Sequence, residues 1–139
     1  MGDFWYFGDD VTLTPDETNL DYAGRIARIG AEVWRVRTAR ITPTKPGAFV
    51  SVWRRAADGG TEPFPADEAV AGLIVFVDDG EHHGVFRFTA DHLVRLGVTS
   101  GARSSGKRGF RVYPPWVGDL NPQASRTQRA QAHAFIPRP

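Results

Sequence analysis

Leu73 to Val77, LIVFV, is a continuous apolar run of strand length, and it constrains the fold more than any other segment. A strand with one wet face alternates apolar and polar side chains. An unbroken run belongs to a central strand covered on both faces. The neighbouring patterns supply its partners. Asp78-Asp79-Gly80 with the following Glu81-His82-His83-Gly84 reads as a hairpin connection into a strand from Val85 to Phe88. Upstream, Tyr22 to Ile29 alternates weakly, and Ile29-Gly30-Ala31 is a turn into a longer strand from about Glu32 to Thr42. Period two puts Trp34 and Val36 on one face of that strand and Arg35 and Arg37 on the other.

Prolines and glycines punctuate what remains. Pro43 and Pro46-Gly47 stop the long strand, Phe49 to Arg55 resumes as another, and Ala56 to Asp67, rich in Gly, Pro and acids, reads as surface loop. Thr89 is the expected N-cap of a short helix through Leu93 and Leu96, ended by Gly97. A Ser/Gly stretch from Thr99 to Gly106 leads into a strand, RGFRVY, closed by Pro114-Pro115. Asn121 and Pro122 form the N-cap and first position of a last helix running to about Phe135. The expected fold is α+β: one domain over residues 1 to 139, a mainly antiparallel sheet, a short helix and a C-terminal helix.

Charge is the second constraint. Residues 1 to 34 hold seven acids and two bases, and residues 35 to 55 hold six bases and no acid. Residues 56 to 91 return to eight acids against Arg87, and residues 92 to 139 carry eight bases against Asp119. Blocks of −5, +6, −7 and +7 sum to the net charge of +1, so the mean conceals the local field. If the two basic blocks meet, they form a cationic surface suited to a polyanion. The competing expectation is internal pairing, with acids of one block neutralising bases of the next.

The chain has no cysteine, which removes disulfides, thiolate metal sites and a cysteine nucleophile and permits a reducing compartment. The N-terminal MGDFWYFGDDV has no basic n-region and no long apolar run, so neither a signal peptide nor a membrane span is expected and the cytoplasm is the expected location.

Two segments, TARITPTKPGAFVSVWRR (38 to 55) and GKRGFRVYPPW (106 to 116), together with RTQRAQ (126 to 131), resemble the signature blocks of the MepB family. These are small bacterial proteins named after a member encoded beside a multidrug efflux pump. The resemblance spans roughly residues 17 to 136 in order. It implies a fold similar to the PD-(D/E)XK endonucleases and an association with nucleic acid, and it carries no assigned biochemical activity. There are two departures: Arg129 stands where the family usually has an aromatic residue, and the family's N-terminal helix has no counterpart, as if the start were truncated or divergent.

The candidate binding residues follow from the two basic blocks. Arg35, Arg37 and Arg40 lie along the long strand, Lys45 in a proline-bounded loop, and Arg54 and Arg55 at the end of the next strand beside Trp53. Lys107, Arg108 and Arg111 stand beside Tyr113 and Trp116, an arrangement suited to phosphate contacts plus base stacking. Arg126, Arg129 and His133 share one helix face. Each has a plainer reading: the arginines as a solvated, salt-bridged surface, and Trp53, Tyr113 and Trp116 as closures of hydrophobic edges.

Catalysis finds little support. Gly106-Lys107 is not a phosphate loop, because Arg108 replaces the required hydroxyl residue. His82 and His83 adjoin Asp78, Asp79 and Glu81, but adjacent strand side chains diverge and a hairpin tip is exposed, so no metal site is expected. A nuclease of the implied fold needs magnesium-holding acids and a lysine two residues from the last of them. Strand 32 to 42 has Trp34 two residues after Glu32 and arginines where the acids or lysine belong; only a distant pair such as Asp21 and Glu32 could substitute. The expected function is therefore non-catalytic binding of DNA or RNA without a cofactor. The rivals are a divergent metal-dependent nuclease and a pocket for a small anionic or aromatic ligand linked to drug efflux. A closed pocket lined by Trp34, Trp53 or Trp116 would favour the last.

Overall fold

The computed structural model describes residues 5–17 and 24–139. Asp21, and Tyr22 at the start of the weakly alternating segment, lie outside them. Strands β1 (Val11–Pro15), β2 (Arg25–Ile29), β3 (Glu32–Thr38), β8 (Gly72–Asp79), β9 (His82–Thr89) and β11 (Phe135–Pro137) form a six-stranded sheet in the order β1-β2-β3-β8-β9-β11. Its pairs are antiparallel except β3 with β8. A second sheet, ordered β10-β5-β4, contains β4 (Arg40–Ile41), β5 (Ala48–Ser51) and β10 (Gly109–Val112). A short hairpin pairs β6 (Trp53–Arg55) with β7 (Thr61–Pro63). Two helices, α1 (Ala90–Arg95) and α2 (Pro122–Gln131), complete the α+β fold.

The apolar run is the central strand its composition requires. Alternation sends Leu73, Val75 and Val77 to the face packed with Phe86, Phe88, Val50, Val52 and Val112, contributed by β9 and the second sheet. Ile74 and Phe76 point the other way, among Trp34, Val36, Val85, Ala27 and Phe7. Both faces are dry. Buried apolar area contributes about 25 cal/mol per Å², and this strand collects it on both sides.

Capping follows the sequence closely. Thr89 accepts from the His92 N–H at the start of α1, and Gly97 adopts φ 73° just beyond its end. Asn121 accepts from the Ala124 N–H, with Pro122 at the first turn of α2.

Four expectations are corrected. The strand expected from Phe49 to Arg55 breaks at Val52, ending as β5 in the second sheet and resuming as β6 in the hairpin. The single strand over 32 to 42 is two: at Ala39, whose N–H still donates to Phe76 O at 2.9 Å, the chain leaves the large sheet and enters the second as β4. The loop over 56 to 67 contains β7 and Phe64, which is 1% exposed; its polar composition masked a core residue. The last helix stops at Gln131 and passes through one tight 3₁₀ turn, because Phe135, Ile136 and Pro137 are used as a short strand against Phe86, Val85 and Gly84 of β9. Among the described residues no helix is long and apolar enough to cross a membrane.

Candidate functional site

The two basic blocks do meet, since β5 of the first pairs along its length with β10 of the second. Their cations do not share a face, however. They divide into an interior network, a hairpin edge and a cleft.

The interior network holds Arg35 and Arg37 and reaches the surface at Arg54, whose side chain is 29% exposed. Arg35 and Arg37 occur on the face of β3 opposite Trp34 and Val36, as alternation requires, but that face is covered: they are 8% and 2% exposed. Their guanidinium carbons lie 3.9 and 5.4 Å from the centroid of the Phe64 ring. Arg37 donates to Asp16 Oδ2 at 2.8 Å and to Val36 O at 3.0 Å. Arg35 and Arg54 share Glu68, and Arg54 also donates to Glu62 Oε2 at 2.7 Å. Burial pushes Arg35 and Arg37 down from the ordinary arginine range, opposed by Glu68 and Asp16 respectively. The bond to Glu62 leads an upward shift at Arg54. The expected open cationic face over Arg35, Arg37 and Arg54 is thus corrected. Two guanidinium groups cannot enter a core without carboxylates beside them, and these three are neutralised by acids of the neighbouring blocks.

At the hairpin edge, Arg108 donates to Thr61 Oγ1 at 3.0 Å and Thr61 O at 2.9 Å, tying the approach to β10 onto β7. Arg55 lies 5.2 Å from the Trp53 ring and donates to Gly59 O at 3.2 Å. Arg40 on β4 and Lys45 in the following loop are exposed.

The cleft is the concave feature of the cationic side, with a volume of about 580 Å³. Its floor is β10 and its flanks, with Lys107, Gly109, Phe110, Arg111 and Tyr113. One wall is α2, presenting Gln123, Ala124, Arg126, Thr127 and Ala130, and the other is the end of α1 with Arg95, Leu96 and Val98. Among the described residues four cations line it and no carboxylate does. Arg95 is held at its outer end by Asp91, 3.1 Å away in an exposed i, i+4 pair, a contact that yields readily to a stronger anion.

The cleft is built before any ligand arrives. β10 is an edge strand, and its outward backbone groups would be orphaned under α2. Gln131, 1% exposed, serves both: its Nε2 donates to Arg111 O at 2.8 Å, and its Oε1 accepts from the Tyr113 N–H at 3.0 Å. Gln128 donates to Pro114 O at 2.9 Å and Val117 O at 3.0 Å. Arg111 itself donates to Thr42 Oγ1 at 2.6 Å and Pro46 O at 3.1 Å, which holds its guanidinium on the β4–β5 connection. Gly47 has φ 78°, and a Cβ there would stand 2.7 Å from the Tyr113 ring; the missing side chain lets that ring lie against the backbone.

Of the residues expected from sequence, Lys107, Arg111, Tyr113 and Arg126 converge on the cleft. Arg129 is exposed on α2 without lining it. The expectation for Trp116 is corrected: it stacks on His82 at 5.0 Å, donates to Asp79 Oδ2 at 3.2 Å and meets Phe135 edge-on. It closes the tip of the β8–β9 hairpin. His82 and His83 diverge, the latter placing Nδ1 2.7 Å from Asp78 Oδ1. Sequence reasoning missed Arg95, Gln128 and Gln131. The two glutamines stood in the RTQRAQ segment at i and i+3, a spacing that puts both on one helix face.

The MepB-like family model matches residues 16–137. A crystal structure of MepB superposes with a TM-score of 0.88 at 33% sequence identity, covering 94% of this chain and 88% of that one. No curated protein matches the chain.

Proposed function

The chain belongs to the MepB-like family, and from that premise and the cleft we propose that it binds nucleic acid without catalysis, in a cytoplasmic setting. The observation that carries this is the lining: Arg95, Lys107, Arg111 and Arg126 around one open concavity with no acid among its described residues. A phosphate entering it meets these cations, with Asp91 near only at the outer end, where it pairs with Arg95.

The alternatives have weaker support. A metal-dependent nuclease needs acids available to magnesium, whereas Asp16, Glu62 and Glu68 beside β3 are each bonded to arginine. The implied kinship with PD-(D/E)XK endonucleases belongs to the proposal in this restricted sense, as a scaffold that holds the cleft. A small aromatic ligand has one candidate, a hollow of about 580 Å³ lined by Trp116, Phe135, His82 and Pro115, but this is an open surface rather than the closed pocket such a ligand needs, while Trp34 is in the core and Trp53 on the β6–β7 hairpin.

The test is a titration of labelled oligonucleotides at several salt concentrations. With about four phosphate contacts, log K against log salt should slope by about −2.8 on single strands and about −3.6 on duplex. The double variant Lys107→Ala/Arg126→Ala should flatten the single-strand slope by about 1.4. Trp116→Ala, outside the cleft, should leave the slope unchanged. Folded protein that binds nothing at low salt, or binds with no salt dependence, overturns the proposal.

A further inference from the structure

The cleft lining is mixed in a way that phosphates alone do not explain. Between its cations run the half-buried Phe110 and Leu96 and the exposed Ala130, backed by the buried Val98 and Ala124, an apolar surface that gains nothing from contact with a hydrated phosphate. At one end the Tyr113 ring is held on three counts: its N–H is fixed by Gln131, its ring rests on the Gly47 backbone, and the chain beyond it turns at Pro114. A half-buried ring so fixed is a platform that needs no ordering when a flat partner arrives.

In a duplex the base faces are already stacked on one another, and what the outside offers is a convex surface of phosphate and sugar. Such a surface can touch the rim cations of a concave site but cannot fill an apolar floor. An unpaired strand offers phosphates and free base faces together. β10 and the approach to it extend from Lys107 to Tyr113, roughly 20 Å at about 3.3 Å per residue, so the floor accommodates a short extended segment.

Resting on the reading of the cleft as a nucleic-acid site, we infer that its ligand is a single strand, with a base stacked on Tyr113, apolar base edges along Phe110, and phosphates at Lys107, Arg111 and Arg126. Duplex is bound only at the rim.

The experiment compares three probes at one moderate salt concentration: an oligothymidine of about 12 nucleotides, a duplex of equal length, and inorganic polyphosphate. The single strand should bind at least about tenfold more tightly than either. Tyr113→Leu should weaken the single strand roughly 5- to 150-fold, the span reported for loss of one stacked base, while leaving duplex and polyphosphate affinities within about twofold. Tyr113→Phe keeps the ring and should keep the affinity, which separates loss of stacking from loss of fold; circular dichroism checks each variant. Duplex bound as tightly as single strand, or a Tyr113→Leu loss equal for all three probes, overturns the single-strand inference while the nucleic-acid reading stands. Polyphosphate bound as tightly as the oligonucleotide also overturns it. If no probe binds at low salt, the underlying reading fails instead, and this inference with it.

Discussion

Replacing Gln131 by leucine should cost far more than an exposed helix substitution, because the glutamine replaces a missing strand. Leucine fills nearly the same volume, so no sizeable cavity opens and the loss isolates the polar contacts. Two backbone groups, Arg111 O on β10 and the Tyr113 N–H just beyond it, lose their partners at 2.8 and 3.0 Å. Each buried orphan costs about 1–3 kcal/mol, giving a total of about 4 kcal/mol at mid-range. A domain of this size has about 5–15 kcal/mol in all. At roughly 3–4 °C per kcal/mol for a chain of this length, Tm should fall by roughly 12–16 °C. Urea unfolding followed by circular dichroism gives the free energy directly. Gln131→Glu adds a second arm. Its carboxylate still accepts from Tyr113 but faces Arg111 O with no proton to donate, so the folded state favours the neutral acid. Stability should therefore recover as pH falls and the carboxyl takes up the proton it needs. A loss below about 1 kcal/mol for Gln131→Leu, or no recovery of Gln131→Glu on acidification relative to wild type, refutes the reasoning.

Two further predictions concern buried charge. Asp16→Ala strands the Arg37 guanidinium in the core and should cost about 3–5 kcal/mol, whereas Asp16→Ala/Arg37→Met should regain most of it; urea midpoints of the three proteins decide. Burial pushes the His92 imidazole below its ordinary value near 6.5, where it stacks 4.2 Å from His133 near Arg95 and Asp91 and bonds Ala130 O at 2.8 Å. The unfolded chain takes up the proton first, so this contribution is full above the ordinary value and is lost as pH falls through the lower folded one. His92→Gln should show a smaller fall in urea midpoint than wild type between about pH 7.5 and pH 5.

The sequence was most legible where one short-range rule decided the outcome. The unbroken apolar run from Leu73 to Val77 marked a strand covered on both faces, and alternation alone placed Trp34 opposite Arg35. The caps at Thr89 and Asn121 were readable because a hydroxyl or amide before a helical run has one favourable use. Alternation is blind to what covers a face. It put Arg35 and Arg37 together correctly but could not show that Phe64, Glu68 and Asp16, distant in the chain, would come to cover them. The same blindness hid the cleft: Arg95, Lys107 and Arg126 become neighbours only after α1, β10 and α2 pack. Trp116 shows the limit from the other side, since its basic sequence neighbours pointed to phosphate while its spatial neighbours are Asp79, His82 and Phe135.

The neutralised arginines have a consequence for encounter as well as for packing. Pairing Arg35, Arg37 and Arg54 with Asp16, Glu62 and Glu68 cancels much of the first basic block in a molecule whose net charge is +1. At physiological salt its field decays over about 8 Å, so a distant polyanion experiences almost no pull and collisions are governed by ordinary diffusion rather than by steering. Attraction switches on only when a strand is within reach of the cleft mouth. For the proposed ligand, this means slow capture and little idle residence on the many polyanions of a cell. Discrimination is then exercised at contact, by shape, rather than at long range, by charge.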